Sequence, residues 1–294
     1  MTDISISNQR TGEARRRHSH GRSAVIAFAV PLLLIALLCV CASLLPIPDP
    51  TKQNLGNALL PPSWLAGGSV EHILGTDHLG RDLLARILYG GRLTFLVSIC
   101  AMLAAAIPGT LLGLFSGYYR GWADTAISRL VEAQLALPFI LLAIVIIAAR
   151  GRSLPVLIGV LALIGWAQYA RVIRAETLSL RERPFILGLR CAGLSKLRIL
   201  LAHLLPNVVG TALVLATLQM GSVILAESAL SFLGLGVVPP DISWGGMLAD
   251  GRAQLTKAWW VALFPGLSIT VVVLLVNLLG DSARSWLDPK KRKY

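Results

Sequence analysis

Hydrophobic residues in this chain gather into long uninterrupted blocks instead of recurring at the spacing of a half-buried helix or strand. Charge-free runs cover Ala24–Leu45, Leu93–Tyr119, Ala133–Ala149, Leu154–Ala170, Leu204–Ala226 and Ala258–Gly280, each at least 17 residues long. A helix rises about 1.5 Å per residue and needs about 20 residues, or about 17 at the short limit, to cross a hydrocarbon core of about 30 Å. The pattern predicts six membrane crossings. The third and fourth runs are the shortest, and they share the connector Arg150-Gly151-Arg152-Ser153, so they stand or fall together as a hairpin.

The segments between the blocks carry their own signals. Residues 1–22 are polar, basic and serine-containing, a composition that predicts disorder. Pro46-Ile47-Pro48-Asp49-Pro50 stops the first span, because proline removes a donor and restricts its predecessor. Arg81 to Tyr89 has apolar residues at helical spacing, which predicts an amphipathic helix lying at the interface with Asp77 as its cap. Pro108, Pro138 and Pro265 fall inside spans and predict kinks, since neighbouring helices can satisfy the freed carbonyls. Glu227 to Trp260 is too apolar for a plain loop and predicts a broken re-entrant or interfacial piece, with Trp244, Trp259 and Trp260 at headgroup depth. Glu227 falls at a span end where it can reach water, so a structural role is expected of it. Gln219 and Asn277 are lone polar residues in apolar spans, expected to bond across to neighbouring helices.

The segment from Pro184 to Pro206 is different in kind. It is basic, broken by glycine and longer than helix connections in a bundle usually are. Pro184 suits a first helical position, and Phe185, Ile186, Leu189 and Ala192 can share one face. Gly193 interrupts, Ser195 can cap a second short helix through Leu204, and Pro206 then marks the start of the fifth span. Two short helices joined at a glycine make a compact knob suited to a groove on a soluble partner. The same pattern suits an amphipathic hairpin resting on lipid, and spacing alone does not separate the two.

Composition narrows the function. The chain has 294 residues, of which 14% are charged, against about 25% in soluble domains. With six spans, both tails share a side with the 120s loop and the loop after the fourth span. Those segments hold 5, 2, 7 and 5 Lys or Arg, which is 19 of the 27 in the chain. Basic loops stay inside, so both termini are expected in the cytoplasm. The net charge of +12 is thus a topological signal, and the tails lack the aromatic-interleaved basic groove that a nucleic-acid partner needs. The first run is longer than a signal-peptide core and lacks a small-x-small cleavage site, so it reads as an uncleaved anchor. Cys39, Cys41, Cys100 and Cys191 give no disulfide framework.

The five histidines (His18, His20, His72, His78 and His203) join no Cys or acid at metal-ligand spacing, and Ser153, Ser228 and Ser231 lack a convincing base. No catalytic, metal or cofactor site is therefore expected. An ion-coupled secondary transporter would be expected to bury ionisable residues at mid-membrane, and the six runs hold none. A purely structural scaffold would not need so elaborate a connector.

Three segments carry a resemblance. HILGTDHLGRDLLARILYGGR (His72 to Arg92) precedes the second span; in the connector, Gly193 is followed thirteen residues later by the Pro of Leu205-Pro206; and ILAESALSFLGLGVVPPDISWGGMLADGR (Ile224 to Arg252) is followed by a closing GDSARSWLDP (Gly280 to Pro289). Together these resemble the inner-membrane permease subunits of binding-protein-dependent ABC importers, in the dipeptide, oligopeptide and nickel branch, and within it the C-type subunit. The resemblance covers about Glu71 to Lys291. One departure is visible: where the family's loop has Glu-Ala-Ala, this chain has Leu187-Gly188-Leu189, which removes an ionic anchor at Leu187.

The resemblance implies an all-α integral membrane protein with six transmembrane helices, the type I importer permease fold, in the bacterial inner membrane. Its expected division is a cytoplasmic tail (1–22), a first anchor with an external segment (23–92), the transmembrane domain (93–282) with a cytoplasmic coupling loop (171–206), and a basic tail (283–294). Phe185, Leu187, Gly188, Arg190, Gly193, Ser195, His203 and Pro206 would couple to ATPase subunits. The expected partners are two cytoplasmic ATPases, a second related permease, an external substrate-binding protein and membrane lipid. A phosphate-binding loop needs Gly-Lys followed by Ser or Thr, and no Gly-Lys dipeptide occurs here, so ATP and magnesium are expected on the partner subunits. Peptides are the expected cargo, with nickel or glutathione import as the alternative.

Overall fold

The computed structural model describes residues 23–287. The sequence expectations for 1–22 and 288–294 lie outside the described residues. Besides a 3₁₀ turn at Leu55–Asn57, nine helices are described, with α1 at Ser23–Leu44, α2 at Leu83–Tyr119, α3 at Gly121–Ala136, α4 at Phe139–Arg150 and α5 at Leu154–Arg181. They continue with α6 at Pro184–Cys191, α7 at Lys196–Phe232, α8 at Trp244–Arg252 and α9 at Trp260–Leu287. Five of them (α1, α2, α5, α7 and α9) are long and apolar enough to cross a membrane. The sixth crossing is the broken pair α3 and α4, bent by 92°.

That bend corrects the expectation of a kink at Pro138. Leu137 is held extended (φ −86°, ψ 130°) and Pro138 caps the next helix, so the proline ends one helix and starts another. Pro108 and Pro265 do lie inside continuous helices.

The dominant helix pair is α2 against α5. Gly109, Gly113 and Gly117 recur every four residues on α2, and each meets α5 backbone. A Cβ at these positions would lie 2.5 Å from the Trp166 carbonyl oxygen, 2.5 Å from that of Ala170 and 2.8 Å from that of Arg174. Small residues at this spacing let helix axes approach closely where no hydrophobic drive separates helix from lipid. The contacts advance along both helices together, so α2 and α5 run parallel and their C-terminal ends share a side.

The expected interfacial helix at Arg81–Tyr89 does not exist as a separate element. Its residues form the first turns of α2, where Leu83, Ala85, Arg86 and Ile87 are buried. Asp82, not Asp77, caps the helix by accepting the Ala85 amide at 2.8 Å. Asp77 instead accepts the amides of Leu79 and Arg81 and pairs with Arg81 at 2.6 Å and Arg86 at 3.5 Å. The segment between α1 and α2 is thereby pinned to the head of α2.

Two of the three tryptophans expected at headgroup depth are core residues. Trp244 is fully buried, its ring N–H donating to the Ile87 carbonyl at 2.7 Å and its amide to the Thr94 hydroxyl. Trp260 is buried and donates to the Thr76 carbonyl, while Trp259 alone stays exposed. Glu227 does not reach water either. The α7 helix runs on to Phe232 and carries Glu227 into the interior, where it accepts from Ser231 at 2.7 Å and Ser243 at 2.9 Å. Gln219 bonds across to Gln168 of α5 at 2.6 Å as expected, and Asn277 packs against Gly221.

Candidate functional site

The strongest site candidate lies at the shared C-terminal end of α2 and α5. The α5 helix continues past its apolar run to Arg181, because its basic residues find partners on the way. Arg174 forms a two-point pair with Asp124 of α3 at 2.5 and 2.8 Å, and Ser116 of α2 donates to the same carboxylate. Arg181 donates to the Tyr118 carbonyl at 2.9 Å. The ends of α2, α3 and α5 are thus tied into one block before the connector begins.

The short helix α6 begins at Pro184 as expected, where a missing N–H costs nothing. It ends in a turn set by Gly193. The Gly193 amide bonds the Arg190 carbonyl at 3.0 Å and the Leu194 amide bonds the Leu189 carbonyl at 3.2 Å, a Schellman arrangement. Gly193 sits at φ +76°, a conformation that side-chain-bearing residues rarely adopt, and open space surrounds it. Its role here is backbone geometry alone.

The rest of the knob differs from expectation. The second short helix is the foot of α7, continuous with the fifth span. Ser195 stands at its N-cap but makes no side-chain cap bond. Ile199–Leu204 forms a π turn, leading into a helix that has Leu205 and Pro206 at its start. Pro206 thus stands in the first turn of the α-helical part of the fifth span, as expected, and the π turn just before it joins that part to the foot without a loop. His203 lies in that π turn, half-buried, its carbonyl accepting the Asn207 amide group at 2.6 Å.

The two faces of α6 are also divided differently. Ile186 is fully buried and Leu189 half-buried, but Phe185 and Ala192 point outward, so the four do not share a buried face. Ile186 plugs a cluster formed by Leu114 and Tyr118 of α2, Ile173 and Leu180 of α5, and Ile199, Leu200, Leu204 and Val208 of α7. Arg190 turns inward as well, its guanidinium 5.2 Å from the centre of the Tyr118 ring. What remains outside are Phe185 and Leu187, 44% and 43% exposed on either side of the buried Ile186, with Gly188, Cys191, Arg183, Lys196 and Arg198 of the same connector also exposed. A force applied to α6 passes through Ile186 into three spans at once. Sequence reasoning missed Tyr118; its one signal is an aromatic pair, Tyr118-Tyr119, closing an apolar run just where the next helix turns away.

No group of three His, Cys, Asp or Glu side chains gathers into metal-binding proximity among the described residues.

Residues 109–293 match the family described as binding-protein-dependent transport system inner membrane component. The chain is 43% identical over 262 residues to the di/tripeptide transport system permease protein DppC of Pseudomonas aeruginosa, covering 88% of this chain and 86% of that one. It is 40% identical to the dipeptide transport system permease protein DppC of Alkalihalophilus pseudofirmus, over 95% of this chain and 90% of the relative. The oligopeptide transport system permease protein OppC of Mycobacterium tuberculosis is 40% identical, with 94% of each chain covered.

Proposed function

This chain belongs to the family of binding-protein-dependent transport system inner membrane components, and from that membership we propose that it is a permease subunit of an ATP-driven peptide importer. The observation that carries the reading is the docked helix α6, with Ile186 locked into the feet of α2, α5 and α7 and Phe185 and Leu187 left facing out. Two exposed apolar side chains on a short helix within a basic connector suit a groove on a soluble subunit. Two cytoplasmic ATPases clasp this helix and its counterpart on a second, related permease. ATP and magnesium bind those ATPases, and their closure moves the spans as rigid bodies. An external binding protein delivers dipeptides or longer peptides. The end bearing α6 lies in the cytoplasm with both termini, in keeping with its share of the basic residues.

Each residue expected to couple has a place in this reading. Phe185, Leu187 and Gly188 meet the ATPase, and Gly193 and Ser195 shape the turn. Arg190 clamps the helix to Tyr118 rather than touching the partner. His203 and Pro206 belong to the foot that carries motion into α7.

Co-purification tests the docking claim. The ATPases are expected to be lost from a Phe185→Ala/Leu187→Ala double variant and retained by wild type. Equal recovery from both would overturn the assignment of these two residues.

A further inference from the structure

At the opposite end of α2 a cavity of about 710 Å³ opens beside the segment that follows α1. Its lining includes Asp49, Tyr89, Arg92, Leu93, Leu96 and Asp241. Arg92 is exposed, stands 5.8 Å from the centre of the Tyr89 ring, and has no ion pair among the described residues. Asp49 is exposed; one of its oxygens accepts the Thr51 hydroxyl at 2.6 Å and amide at 2.8 Å. Those bonds, the hydroxyl first, hold its carboxyl below the ordinary aspartate value, so it is charged at neutral pH. Asp241, also exposed, lines the cavity from the loop before α8. One cation and two carboxylates therefore face one space.

The apolar part of the lining says where this space lies. Leu96, Ile99, Leu103, Ile107 and Leu111 follow Arg92 at helical spacing and are all more than two-fifths exposed. From Arg92 to Leu111 the helix rises about 28 Å, close to the thickness of a hydrocarbon core. Arg92 thus stands at the end of an exposed apolar stripe of membrane-spanning length, and the cavity opens onto that stripe at Leu96. A site for a water-soluble peptide has no need of such an opening.

We propose that this cavity binds the headgroup of an amine-bearing phospholipid of the phosphatidylethanolamine kind, with Arg92 on the phosphate, Asp49 and Asp241 facing the ammonium, and an acyl chain along the Leu96–Leu111 stripe. The charge balance selects a zwitterion. A phospholipid with an anionic headgroup and no amine leaves both carboxylates facing negative charge. The inference needs only that these helices span a bilayer and is independent of the transport reading.

Native mass spectrometry of the delipidated complex, titrated with phosphatidylethanolamine, phosphatidylglycerol or the dipeptide Ala-Ala, tests it. Wild type is expected to retain one phosphatidylethanolamine that Arg92→Gln loses, with affinity lower by at least about tenfold. Arg92→Lys, which keeps the charge, is expected to restore much of that binding, and an Arg129→Gln control to bind like wild type. The Asp49→Asn/Asp241→Asn double variant is expected to lose the preference for phosphatidylethanolamine over phosphatidylglycerol. Equal occupancy in wild type and Arg92→Gln, equal binding of the two lipids by wild type, or displacement of the lipid by Ala-Ala would each overturn the proposal.

Discussion

Replacing Ile186 by alanine isolates the link between α6 and the spans. The substitution removes three carbons from a side chain with no solvent exposure. At about 0.8 kcal/mol per buried carbon the transfer loss is about 2.4 kcal/mol, and the residual cavity brings it to about 3 kcal/mol. The Arg190–Tyr118 contact contributes about 0.5–1 kcal/mol at a partly exposed site, so it cannot hold the helix in place by itself. A loss of about 3 kcal/mol shifts the balance of docked and detached α6 more than a hundredfold. Phe185 and Leu187 are untouched by this change and should still meet the ATPases. In the purified complex, amide hydrogen exchange over residues 184–195 is expected to rise, and in proteoliposomes peptide carried per ATP is expected to fall, with the ATPases still bound. Leu187→Ala should do the reverse, weakening ATPase binding and leaving exchange unchanged. Wild-type exchange protection together with wild-type transport per ATP in Ile186→Ala would refute the reasoning.

Gly113→Val places side-chain carbon against the Ala170 backbone, where even a Cβ would lie 2.5 Å from the carbonyl oxygen, and should lower stability by about 1–3 kcal/mol in thermal unfolding. Gly159→Ala, inside α5 and meeting nothing within 4 Å, should hold or raise the melting temperature, since alanine favours the helix. Gly193→Val should cost about 1–2 kcal/mol through its φ of +76° and impair coupling, whereas Gly193→Asn should retain coupling in the same transport-per-ATP assay. Glu227→Ala removes the acceptor shared by Ser231 and Ser243 at a cost of about 1–3 kcal/mol, read as faster exchange over residues 233–243. Glu227→Gln keeps an acceptor oxygen there and should exchange much more slowly than the alanine variant.

What sequence patterning revealed and what it missed divide along a physical line. Length and apolarity identify a span whatever lies beside it, so the six crossings were legible, with the bent pair α3–α4 as the weakest. Pairing of elements was not. Gly109, Gly113 and Gly117 are visible as a spacing, but their use depends on α5 passing within backbone contact. Ile186 and Leu187 are neighbours of similar hydropathy; one is sealed and the other is 43% exposed, and only the docking angle of α6 separates them. Trp244 and Trp260 match the pattern of interfacial aromatics, yet buried carbonyls of Ile87 and Thr76 take their N–H groups. Pro206 does sit in the first turn of an α-helix, but the π turn that joins it to the foot has no sequence signal. Arg190 falls in the connector by sequence, but its inward aim at Tyr118 is visible only in three dimensions.

The central claim is that this chain moves only when separate ATPases drive it. Uptake of a labelled dipeptide into proteoliposomes holding the permease pair and the binding protein, with and without the ATPase subunits and ATP, measures this directly. The account predicts accumulation only when both are present. Accumulation by the permease pair alone, driven by an ion gradient or by none, would contradict it.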